Sequence, residues 1–122
     1  MNRGYDDFHL VHRDEINEIV SELIDFHNSK GRHIIIMTGR SEEYRKETEE
    51  WLNLYDIRYD QLLMRQKDDY KRDTVVKKEL YNDNIKDKYN VICVFDDRLS
   101  VCRQWVDMGI FTFTVNQGLR EF

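Results

Sequence analysis

From residue 14 onward the apolar positions recur at helical spacing. Ile16, Ile19, Val20, Leu23 and Ile24 fall at i, i+3, i+4, i+7 and i+8, which predicts a helix with one inward face and a stop at Gly31. Residues 33–37 are apolar and β-branched on consecutive positions, as expected of a strand covered on both faces of a mostly parallel sheet. This strand is expected to end at Thr38-Gly39-Arg40. Ser41 can then N-cap a second helix reaching to Leu54, and 61–64 form a short apolar strand. A third helix is expected over 72–81 with Val75, Val76 and Leu80 inward. A fully apolar strand at 91–95 runs into Asp96-Asp97, followed by a helix over 99–108 and a last strand over 110–115. Phe111 and Phe113 alternate there with Thr112 and Thr114, as in a half-buried edge strand, and Trp51 and Trp105 fall on apolar helix faces. Strands alternating with helices predict an α/β fold with a parallel sheet and right-handed crossovers.

Composition narrows this picture. The chain has 122 residues, no proline and no linker tract, so one domain over 1–122 is the simplest reading. Its longest apolar runs fall far short of the ~20 residues that cross a bilayer, and the N-terminus lacks an apolar signal region, which points to a cytosolic protein with no membrane partner. Cys93 and Cys102 read as reduced, buried thiols. The net charge of −5 argues against broad binding to duplex nucleic acid, while Arg65-Gln66-Lys67 and Lys71-Arg72, with Tyr70 between, leave room for a locally basic surface.

In open α/β sheets ligands bind beyond the carboxyl ends of the strands, so residues that follow strands carry the candidate chemistry. Thr38-Gly39-Arg40 offers a hydroxyl, close backbone approach and a guanidinium matched to phosphate, although strand–Thr–Gly turns are common and Arg40 has a plainer reading as a surface charge. Asp96 and Asp97 would repel by ~4 kcal/mol at an effective dielectric of 20 unless positive charge lies beside them, and a magnesium ion answers that need. The alternative is that Asp97 caps the following helix while Arg98 neutralises Asp96. Asp73 and Lys77 stand at i and i+4 on the third helix, a pairing that also occurs as an ordinary surface salt bridge.

In order and spacing, these three pieces resemble the second, third and fourth motifs of the haloacid-dehalogenase (HAD) phosphatases. More narrowly, Asn2 to Tyr5, 14–17, 34–40, Arg65 with 71–77, and 92–98 make the chain similar to the 3′-phosphatase domain of bacteriophage polynucleotide kinase–phosphatases. The resemblance implies a three-layer, HAD-like (Rossmannoid) parallel sheet with flanking helices. It implies a phosphoric monoester hydrolase acting on a phosphorylated nucleic-acid end or nucleotide. Thr38 would bind the phosphoryl group, Gly39, Arg40, Arg65 and Arg72 would contact the substrate, Lys77 oriented by Asp73 would neutralise phosphate charge, and Asp96 with Asp97 would hold Mg2+.

The family mechanism also needs an aspartate nucleophile in an Asp-x-Asp-x-Thr motif ending an apolar strand, and no such motif occurs in these 122 residues. The expectation is therefore a domain lacking its central nucleophile strand and inactive in this form. The strands ending at Thr38 and Asp97 would then pair directly, or leave an opening for another chain such as a second copy. A non-catalytic nucleotide- or metal-binding domain with the same fold is the alternative reading. A receiver-like signalling domain also uses paired acids, a Thr and a Lys, but in the reverse order along the chain.

Overall fold

The computed structural model describes residues 18–115. In order these form α1 (Glu18–Ser29), β1 (Ile35–Ser41), a 3-10 turn (Glu42–Tyr44), α2 (Arg45–Leu54), β2 (Gln61–Arg65), α3 (Asp73–Asn84), β3 (Val94–Asp96), α4 (Leu99–Asp107) and β4 (Thr112–Thr114). Strands alternate with helices and both ladders are parallel, β1 with β2 and β3 with β4, so the expected α/β class with flanking helices is the one observed. None of the described helices is long and apolar enough to cross a membrane. The chain divides into two compact units, one ending at Asp69 and one beginning at Tyr70.

In the first unit α1 ends where predicted, with Gly31 at φ +74°, a left-handed backbone that glycine adopts without a Cβ penalty. The expected start at 14–17 lies outside the described residues. Val20, Leu23 and Ile24 are half-buried, but Ile19 is exposed, so the inward stripe is narrower than the sequence spacing suggested. β1 runs beside β2 from the Ile35–Gln61 pair to Thr38–Met64, then slips so that Ser41 faces Arg65. The strand thus continues through Thr38-Gly39-Arg40 to Ser41 by an irregularity in the ladder instead of ending at them. Ser41 does cap, its Oγ accepting the Glu43 N–H, but it opens a 3-10 turn that leads into α2. Leu52, Ile57, Leu62 and Met64 form the core, packed by Ile24, Ile36, Trp51, Tyr55 and Tyr59.

In the second unit α3 buries Val76 and Lys77 while Val75 is exposed. Val76 and Leu80 are one turn apart on one stripe. Val75 lies about 100° away from Val76, and the inward place beside that valine goes to Lys77 instead. Of the expected 91–95 strand only Val94 and Phe95 enter a ladder, which runs on to Asp96, and Ile92 is exposed. From α4, Val101, Cys102 and Trp105 are buried, and Gly109 at φ +82° turns the chain toward β4, where Phe113 stacks on Phe95 with ring centroids 4.9 Å apart. Phe111 and Phe113 are both exposed, so the alternation expected of the last strand resolves with its phenyl groups outward. Neither cysteine is in a disulfide; Cys102 is buried and Cys93 partly so.

Candidate functional site

The second unit gathers its chemistry at the carboxyl end of β3. Asp73, on the first turn of α3, and Lys77, one turn later, point to the same side, and Lys77 Nζ lies 3.7 Å from Asp73 Oδ2 and 3.1 Å from Asp96 Oδ2. The pairing of Asp73 with Lys77 is therefore no surface salt bridge, because the ammonium is nine-tenths buried and reaches the strand end. A buried ammonium needs such partners, since an unpaired charge in this setting would lose its proton or expel the side chain.

Asp96 is the hub of this cluster. Its Oδ1 accepts the backbone N–H groups of Asp97 (2.8 Å) and Arg98 (3.3 Å), and its Oδ2 accepts from Lys77 Nζ and from Trp105 Nε1 at 3.3 Å. A carboxylate has about four acceptor directions, so these four donors hold Asp96 closely, and a cation bound by it would take the place of one of them. Asp97 next to it is exposed. The plain alternative had Arg98 neutralise Asp96, but the Arg98 Nε faces Asp73 at 3.8 Å, and its own side chain does not cap α4. Cys102 Sγ lies 3.4 Å from the Asp96 carbonyl, and burial, only partly offset by a hydrogen bond with Thr114, holds its thiol above the ordinary range.

These residues fit a magnesium ion on two counts. The side chains of Asp73, Asp96 and Asp97 carry three negative charges against the two positive charges of Lys77 and Arg98, a net of −1 that favours a cation over an anion there. The donors on offer are hard carboxylate oxygens, the type magnesium prefers, and that of Asp97 is exposed beside Asp96.

The first unit carries the remaining predicted residues. Thr38 Oγ1 accepts the backbone N–H of Arg40 at 3.1 Å, which folds the bulged segment on itself. Arg65, at the end of β2, donates from Nε to the Gly39 carbonyl at 2.6 Å and from Nη1 to the Asp69 carbonyl at 3.0 Å. Thr38, Gly39, Arg40 and Arg65 are thus one connected group, with two donors of the guanidinium spent on backbone. In the second unit Arg72 is exposed just before α3, and Lys71 pairs with Glu79 at 2.8 Å, which removes part of the basic charge expected around Tyr70.

Two participants were not legible as site residues. Trp105 reads as a core aromatic, yet a buried indole N–H needs an acceptor, and a carboxylate pair at the entry to the same helix was the available signal. Arg98 carried no signal that separated its role beside Asp73 from neutralisation of Asp96.

Residues 1–119 match the family described as the polynucleotide kinase PNKP phosphatase domain. A putative bifunctional polynucleotide kinase/RNA ligase of Autographa californica nuclear polyhedrosis virus is 38% identical over 125 residues, covering 99% of this chain and 18% of the viral protein. Among solved structures, a chain of the Pnkp1/Rnl/Hen1 complex aligns with a TM-score of 0.87 at 35% identity, over 97% of this chain and 42% of that one. A chain of the Pnkp1/Rnl/Hen1 RNA repair complex aligns with a TM-score of 0.83 at 38% identity, over 86% of this chain and 34% of that one. The chain therefore spans about a fifth of the viral relative and well under half of the solved chains.

Proposed function

The chain belongs to the polynucleotide kinase PNKP phosphatase domain family, and from that membership we propose that residues 1–122 are a magnesium-using, HAD-type phosphatase domain for phosphorylated nucleic-acid ends. The observation that carries this reading is the buried ammonium of Lys77, held by Asp73 and Asp96 at the end of β3. A pre-oriented cation of that kind suits the charge of a phosphoryl group, and catalysis of phosphoryl transfer rests mainly on positioning and electrostatics.

In this reading Asp73 orients Lys77, and Lys77 offsets charge on the phosphoryl oxygens. The Thr38 hydroxyl binds the phosphoryl group, and Gly39, Arg40, Arg65 and Arg72 contact the substrate. Asp96 and Asp97 would hold Mg2+, with the exposed Asp97 reaching toward it; when bound, the ion supplies Lewis-acid polarisation of phosphate oxygens. The names of the relatives pair a polynucleotide kinase with an RNA ligase and place a similar chain in an RNA repair complex, so an RNA 3′ end is the substrate we favour. Because the 122 residues hold no Asp-x-Asp nucleophile motif, this reading has the chain by itself bind such an end without turning it over.

Phosphate release from a 3′-phosphorylated oligonucleotide, with and without Mg2+ and beside Asp96→Asn, tests this. The expected result is no magnesium-dependent release. Release that Asp96→Asn abolishes would locate a nucleophile within these residues and overturn the assignment of roles.

A further inference from the structure

The acidic end of β3 is fastened by a side chain that the phosphatase reading does not use. Asp96 links three elements: its Oδ1 holds the N–H groups of Asp97 and Arg98 at the β3–α4 turn, while its Oδ2 is shared by Lys77 of α3 and Trp105 of α4. The Trp105 side chain is suited to a fixed role. It is 3% exposed, and its ring meets the Tyr81 ring edge-on with centroids 5.8 Å apart, so its indole N–H has little freedom to turn elsewhere.

We propose that Trp105 is a positioning residue for the cation site: its indole N–H fixes the Asp96 carboxylate, and through the two backbone N–H groups that Asp96 holds it sets the turn that presents Asp97. This rests on the magnesium reading above for the identity of the cation.

Lys77 alone leaves one acceptor direction of Oδ2 unused, and the Asp96 side chain is only 8% exposed, so water is poorly placed to replace the indole. Without the N–H the carboxylate gains by rotating toward solvent, and that rotation releases the N–H groups of Asp97 and Arg98. A turn that must be ordered on binding holds a cation less tightly than one ordered beforehand. The indole is also neutral, so it fixes Asp96 without adding a positive charge that would compete with the cation.

The test uses the full chain with Mn2+ as the probe, read by the loss of its free electron paramagnetic resonance signal and by competition with Mg2+. Trp105→Phe keeps an aromatic ring against Tyr81 and removes the donor. Its expected effect is a loss of Mn2+ affinity of about fivefold or more, with faster hydrogen exchange at the Asp97 and Arg98 amides and unchanged exchange at the Val76 amide in mid-helix. A folded Trp105→Phe chain that binds Mn2+ as the wild type does would overturn the proposal and leave the magnesium reading standing. A wild-type chain that does not bind Mn2+ or Mg2+ would overturn both. Should Trp105→Phe fail to fold, a second variant decides: relative to wild type, Asp96→Asn must shift the indole N–H resonance of Trp105 and speed its exchange, and an unmoved resonance overturns the proposal.

Discussion

Lys77 Nζ lies 3.1 Å from Asp96 Oδ2, and both side chains are less than one-tenth exposed. In so dry a setting the pair is held together by what either charge would suffer alone. Lys77→Met leaves the carboxylates of Asp73 and Asp96 facing each other without the ammonium between them, and the expected loss is about 3–5 kcal/mol of stability. Urea unfolding monitored by circular dichroism measures it; a loss below about 1 kcal/mol would mean that the pair is solvated as surface pairs are.

Arg45 binds Glu42 through Nε at 2.6 Å and Nη2 at 2.9 Å, and this pairing holds the Glu42 carboxyl below its ordinary range. The folded value is depressed, so the pair's contribution is present above the unfolded value of 4.5 and is lost as pH falls through the lower folded value. Both side chains are more than one-third exposed, so the effect is small and screened by salt. Melting temperatures of wild type and Glu42→Gln should differ at neutral pH and converge as the solution is acidified below that range. A difference that stays constant with pH would contradict the assignment.

The sequence pattern was most informative where one side chain decides a local geometry. Gly31 ends α1 in a left-handed turn and Ser41 caps the segment before α2, because each property belongs to the residue itself. Periodicity was less reliable where neighbours decide. Val75 and Ile92 are as apolar as Val76 and Val94, yet both are exposed, since burial depends on what packs opposite. The strand ends at Thr38 and Asp96 were legible as candidate sites, but the hydrogen bonds that organise them were not. Trp105 reaches Asp96 from nine residues away, and Arg65 reaches Gly39 from twenty-six, distances that no local pattern encodes.

Arg65 is tied to two backbone carbonyls, Gly39 at 2.6 Å and Asp69 at 3.0 Å. A lysine ammonium is a point donor and does not span both acceptors as the planar guanidinium does. Arg65→Lys is expected to cost about 2 kcal/mol, the value of one charge-assisted hydrogen bond. The shift in urea midpoint reports this, and a midpoint equal to wild type would show that the guanidinium does not fasten the Thr38–Arg40 segment.

Cys102 is 4% exposed, and burial keeps its thiol protonated above the ordinary range, whereas Cys93 is partly exposed. Thiolate is the reactive form, so iodoacetamide at pH 8 should modify Cys93 well before Cys102, with Cys102 reacting only on unfolding. Mass spectrometry of timed samples resolves the order, and labelling of Cys102 first would contradict the burial described for α4.

The account as a whole stands on recognition of a phosphorylated end. Fluorescence anisotropy of a short RNA bearing either a 3′-phosphate or a 3′-hydroxyl, with and without Mg2+, tests it most directly. The chain should bind the phosphorylated end more tightly, Mg2+ should widen that preference, and Lys77→Met should erase it. Equal affinity for the two ends, unaffected by Mg2+, would contradict the assignment of Lys77, Asp96 and Asp97 to a phosphate and metal site.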